Sequence, residues 1–195
     1  MAAEEKRSVE FRDPPWARAL FGNPYFSWIW LLARLYVGYQ WLNAGWGKLQ
    51  DPKWMATGES LRGYWERAVA IPEKGRPPIV FDWYREFLQT LLAGGHHTWF
   101  AKLIAFGETA VGIALIVGAF VGIAAFFGGF MSWNFMLAGS ASTNPVMFTL
   151  AVLLLLAWKT AGWYGIDRWL LPALGTPWQP GSLFRRSRDS GAPPA

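Results

Sequence analysis

Two charged residues stand inside runs of sequence that are otherwise apolar. Arg34 lies about a third of the way into SWIWLLARLYVGYQWLNAG, and Glu108 falls near the middle of the next long apolar run. A charge at the centre of a bilayer costs roughly 2.5–3.5 kcal/mol on insertion scales, so such residues face a bundle interior and find a partner. A guanidinium offers a fork of donors and a carboxylate two acceptor oxygens, so Arg34 and Glu108 are expected to pair with each other. Around them the spacing supplies further donors: Gln40, Trp41, Asn43, Lys48 and Asn134. Donors of this kind suit the carbonyl oxygens of a polar, membrane-soluble head group such as a quinone, and a carboxylate suits the proton transfer that quinone reduction requires. On this reading Glu108 and Arg34 are the catalytic candidates, and Trp41, Lys48, Asn43 and Asn134 bind the quinone. The alternative is a salt bridge that only fixes helix register.

Composition removes several other chemistries. The chain of 195 residues has no cysteine, so thiol catalysis, disulfides, iron–sulfur clusters and Cys-zinc sites are excluded within it. Its two histidines are the adjacent pair His96-His97, which rules out a bis-histidine haem site spanning two helices; they read as interfacial loop residues, and no metal site is expected. No phosphate loop or dinucleotide fingerprint is present, so no flavin is expected. The net charge of +5 does not point to nucleic acid, because the basic residues are interleaved with acids or flank the apolar runs, as suits anionic lipid headgroups.

The elements that would hold these residues follow from hydropathy. Only 16% of residues are charged, against about 25% in an average soluble domain. Most charges fall in residues 1–18, residues 48–86 and the C-terminal tail, and the stretches between are long enough to cross a bilayer. As one helix, Leu103–Ala138 would be about 54 Å long, so it must fold back on itself, with Gly118 and Gly122 flanking the reversal. Asn144-Pro145 reads as an N-cap followed by proline at the first helical position. The expected fold is all-α, an integral membrane four-helix bundle with spans at about 27–45, 98–119, 121–138 and 145–164. Helical spacing then sets Arg34, Gly38, Trp41, Gly45 and Lys48 on one stripe and Ala101, Ala105, Glu108, Gly112 and Leu115 on another, with small residues that let backbones approach. A third stripe runs through Gly122, Ala125, Gly129 and Ser132.

Outside the spans, residues 1–26 read as a polar tail without the apolar core of a cleavable signal peptide, and residues 171–195 as a disordered tail. The connector 46–97 is patterned. Val80, Trp83, Tyr84, Phe87, Leu88, Leu91 and Leu92 keep helical spacing up to Gly94-Gly95, and a shorter amphipathic helix runs through SLRGYWERAVA. Both are expected to lie at the interface or cap the bundle. Trp28, Trp30, Trp41, Trp46, Trp99, Trp158, Trp163 and Trp169 fall near span ends, where indoles favour the headgroup layer. Basic residues are nearly balanced between the tails and the long loop, and the tails are assigned to the cytoplasm.

The segment ARLYVGYQWLNAGWGKLQDP, with an arginine in the first span and the Gly45–Gly47–Lys48 exit, resembles the opening of DoxX/DoxD family membrane proteins. GETAVGIALIVG around Glu108, the small-residue hairpin and Asn144-Pro145 extend the likeness over residues 27–170, and the Trp-rich loop is similar to that of the DoxD branch. The resemblance implies a multi-pass protein of a bacterial or archaeal cytoplasmic membrane. It also implies a membrane subunit of thiosulfate:quinone oxidoreductase type, working with a small partner subunit and yielding tetrathionate. A non-catalytic accessory subunit of a larger redox complex is the second expectation, and a transporter a third, for which four spans without a visible inverted repeat require a homo-oligomer.

Overall fold

The computed structural model describes residues 13–175, and these are all-helical, with no strand among them. The chain begins with α1 (Pro15–Gly22) and a 3-10 turn (Pro24–Phe26), followed by the long α2 (Ser27–Gln50). Three shorter helices, α3 (Pro52–Met55), α4 (Glu59–Val69) and α5 (Asp82–Ala93), fill the connector. The second half contains α6 (His97–Val117), α7 (Val121–Leu137), α8 (Asn144–Leu156), α9 (Trp158–Ala161) and α10 (Asp167–Leu174). Residues 15–22, assigned to a polar tail, are therefore helical, and so are 171–174. The remainder of both expected tails, 1–12 and 176–195, lies outside the described residues.

The frame is two antiparallel helix pairs, α2 with α6 and α7 with α8, joined by contacts of α6 with α7 and of α2 with α8. Small residues set the closeness of the first pair. A Cβ on Gly112 would sit 2.5 Å from the backbone nitrogen of Leu42, and one on Gly38 would sit 3.1 Å from the carbonyl oxygen of Gly112. Backbone cannot yield as a flexible side-chain tip can. Gly112→Val is therefore expected to cost at least the about 1–3 kcal/mol typical of overpacking, measured by denaturant unfolding in detergent, whereas Gly47→Ala, with nothing within 4 Å, leaves stability unchanged or raised.

The stripes read from spacing are buried: Gly38, Trp41 and Gly45 on α2, and Ala101, Ala105, Gly112 and Leu115 on α6. Ala125, Gly129 and Ser132 are buried on α7. The reversal after α6 falls at Gly118, whose φ of +70° suits glycine at a helix end. Two expectations fail. Asn144 does not cap α8; it is the first helical residue, and its Nδ2 donates to the Ser140 carbonyl at 3.0 Å. The last apolar run does not continue as one helix to 164 either. It breaks at Ala157, and Thr160 Oγ1 donates to the Phe21 carbonyl at 3.0 Å, so docking of α9 on the α1 segment replaces further helix.

The buried apolar residues form two clusters. One fills the bundle around Trp30, Val37, Trp41, Leu115, Val121 and Leu154. The other joins α4 and α5 to the neighbouring ends of α6 and α7 through Leu61, Trp65, Tyr84, Leu88, Ala101 and Ala138. The amphipathic helices thus cap one end of the bundle. Trp30 and Trp41, expected at a headgroup layer, are instead core residues, each 3% exposed. Trp30 stacks on Phe21 and donates to the Leu20 carbonyl, and Trp41 fills the space beside Gly128.

Candidate functional site

Arg34 and Glu108 do not pair. On the register fixed by Gly112 against Leu42 and Gly45 against Thr109, the α2 residue level with Glu108 is Trp46, twelve positions beyond Arg34. That is about 18 Å along the axis. Both side chains are fully buried nonetheless, and each has found a different partner.

Arg34 closes the far end of the bundle. Its Nη1 donates to the carbonyls of Leu115 (2.7 Å) and Ile116 (2.8 Å) in the last turn of α6, and its Nη2 donates to the Tyr164 carbonyl (2.5 Å). The two α6 carbonyls lie where the helix ends and offers them no N–H partner, and a cation there also complements the helix dipole. Asp167 makes the opposite arrangement at the start of α7. Its carboxylate accepts the backbone N–H groups of Phe120 (2.7 Å) and Val121 (2.8 Å), which holds Phe120 at a φ of 50°, unusual for a residue with a side chain. Arg34 and Asp167 together clamp the α6–α7 reversal. Arg34 thus serves carbonyls at the reversal instead of Glu108, and Asp167, not singled out by spacing, serves the N–H groups there.

Glu108 is bound by Lys48. Lys48 lies two residues from the end of α2, and its Nζ reaches Glu108 Oε2 at 2.6 Å, with side-chain exposures of 19% and 1%. The ammonium also sits 5.0 Å from the centre of the Trp54 ring. The pair borders an open cleft of about 770 Å³ with mixed polar and apolar walls. The cleft runs along α2 from Lys48 to Gln40, eight positions or about 12 Å, and Glu108 lines it from α6. Trp41, Asn43 and Gln40 line the α2 side. Lys53, Trp54, Glu59, Tyr64 and Arg67 come from the connector, and Ser140, Thr143 and Asn144 from the approach to α8.

Three of the four residues expected to bind a quinone, Trp41, Lys48 and Asn43, therefore share one cleft with Glu108. The Trp41 Nε1 faces Gly128 of α7 and has no hydrogen-bond partner. Asn134 is elsewhere, because its face of α7 turns toward α5. Its carbonyl accepts from Tyr84 Oη at 3.1 Å, and burial, with Tyr64 nearby, pushes the Tyr84 phenol up to about 12. His96 Nδ1 accepts from Trp99 Nε1 at 3.2 Å, and no cluster of three metal-ligating side chains occurs among the described residues. The connector residues of the cleft carried only a general signal in the sequence, a basic and aromatic segment of helical period.

Chemically, the cleft combines a buried carboxylate–ammonium pair, further cations on its wall, and an aromatic lining. It can hold a small polar or anionic molecule against Lys48 and exchange protons at Glu108. Compared with protein-family models, curated proteins and solved structures, the chain matches none of them.

Proposed function

We propose that this chain is a multi-pass membrane protein, with α2, α6, α7 and the α8–α9 segment as its spans, serving a quinone-linked redox system. α6 is long and apolar enough to cross a membrane, and α7 and α8 are shorter apolar helices. The outward faces support the wider reading. Leu32 and Tyr39 on α2, Phe106 and Ile113 on α6, and Ile123, Phe126, Phe127 and Phe130 on α7 are all exposed large apolar residues. Water penalises such a belt, and lipid does not. Its place would be a bacterial or archaeal cytoplasmic membrane, as the likeness to DoxX/DoxD proteins implies.

The observation that carries the functional reading is the Lys48–Glu108 pair, buried beside a polar cleft in a bundle with an apolar exterior. Intramembrane ionisable groups of this kind mark sites of binding or proton transfer. In the proposed reaction two thiosulfate anions join through a new S–S bond and release two electrons. A quinone takes up those electrons and two protons to become a quinol. Lys48 supplies positive charge for the anion, and Glu108 exchanges protons with cleft water. A small partner subunit, as in the DoxD branch, would complete the assembly.

The test is thiosulfate-dependent reduction of a short-chain ubiquinone analogue by the detergent-purified chain, with and without proteins that co-purify in mild detergent. Turnover that follows this chain is the expected result. Quinone reduction unaffected by its removal from a larger co-purifying complex would overturn the enzymatic reading in favour of an accessory subunit.

A further inference from the structure

A second cavity lies beside the polar cleft, between α4 and α5 on one side and α6 and α7 on the other, with a volume of about 160 Å³. The two spaces share Tyr64 and Phe135, whose rings meet edge to face at 6.2 Å and stand between them. Apart from that partition the second space is a slot walled by apolar and aromatic side chains, among them Trp65, Leu91, Phe100 and Met131. A dry apolar cavity of about 150 Å³ accommodates one benzene ring, so the slot is the size of a single six-membered ring.

Its rim and its polar end differ. Phe87 and Phe130, both lining the slot, are 45% and 58% exposed, and Phe130 continues into the exposed apolar face of α7. A ligand therefore enters from an apolar phase and can leave a hydrocarbon tail outside. At the polar end stand Tyr84 and Asn134. The Asn134 Nδ2 donates to the Phe130 carbonyl at 2.8 Å, and because an amide carries two hydrogens, one remains for a carbonyl oxygen of a ligand.

From this geometry we infer that the slot seats the ring of a lipid-soluble quinone with a carbonyl at Asn134, while the polar cleft receives the water-soluble reactant. Tyr64 and Phe135 then form the partition between the two reactants. The inference rests on the quinone-linked reading above and adds where the quinone binds.

The experiment is equilibrium binding of a decyl-tailed ubiquinone analogue to the purified full chain, read by quenching of tryptophan fluorescence. Three variants accompany the wild type: Leu91→Trp, which fills the slot; Asn134→Leu, which keeps side-chain size and removes the amide; and Asn43→Leu in the polar cleft. Leu91→Trp is expected to weaken binding about tenfold or more. Asn134→Leu should weaken it about fivefold, the worth of one hydrogen bond, and its small change in volume keeps the test valid if the bulkier variant unfolds. Asn43→Leu should stay within about twofold of wild type. Binding lost in Asn43→Leu but retained in both slot variants would place the quinone in the polar cleft and overturn the inference while leaving the quinone reading intact. A wild-type chain that binds no quinone would overturn both.

Discussion

Replacing Lys48 by Met is expected to destabilise the protein by about 3–5 kcal/mol, because it leaves the Glu108 carboxylate buried without its counter-charge. Glu108→Gln should cost less, since Lys48 keeps partial exposure and the Trp54 ring as a neighbour. Combining the two should restore most of the loss, because a neutral pair of similar volume carries no uncompensated charge. Stability and turnover then separate. All three variants should lose about 100-fold or more in quinone reduction per folded molecule, the low end of what a positioned acid or base contributes. Denaturant unfolding and steady-state turnover of the same preparations check both parts. A double variant that regains stability and also regains turnover would mean that the pair is only a structural strut.

Arg34→Leu should produce the opposite division. Three hydrogen bonds from a guanidinium to carbonyls disappear, and Asp167 loses the nearby positive charge. Hydrogen bonds to charged groups are worth about 1.5–3 kcal/mol each, and the freed carbonyls lie at the crowded join of α6, Gly118 and Gly165. The expected cost is about 3 kcal/mol or more, with turnover per folded molecule unchanged. Arg34→Lys should recover only part of it, because one ammonium cannot reproduce a planar fork that serves two helix-end carbonyls and Tyr164 together. A variant that stays fully stable but loses turnover would return Arg34 to the reacting centre.

These two predictions also mark where the sequence was readable. Burial of Arg34 and Glu108 followed from charge inside apolar runs, and the stripes that carry them followed from helical spacing. Their partners did not, because matching depths requires the register of α2 on α6. That register is set by contacts such as Gly112 against the Leu42 backbone, which leave no one-dimensional mark. Lys48 lay on the same stripe as Arg34 and was the donor at the right depth. The sequence places it among the donors of the site, but its position at the end of the apolar run does not show that it reaches back to Glu108.

The cleft was less legible still. Its walls come from α2, α4, α6 and the start of α8, and Tyr64 and Arg67 reach it only because α4 folds over the end of the bundle. Trp41 and Trp30 misled for a related reason: an aromatic residue near a span end has the same local sequence context whether it faces lipid or core. Asn134 kept its polar character but faces α5, where it meets Tyr84. The break at Ala157 depends on Thr160 meeting Phe21, a contact 139 residues apart in sequence.

The proposed function requires a water-accessible polar cleft inside a lipid-facing bundle. Two positions at similar depth decide it, Ala44, which lines the cleft, and Ile113, which is 49% exposed on the outer face of α6. The natural chain has no cysteine, so Ala44→Cys and Ile113→Cys each carry a single reporter thiol. The measurement is the rate of modification by a charged methanethiosulfonate reagent in proteoliposomes, with the reagent present on both sides. Rapid modification of Ala44→Cys and none at Ile113→Cys is the predicted result. Equal modification at Ile113→Cys would put that face in water, and an unreactive Ala44→Cys would close the cleft; either would contradict the account.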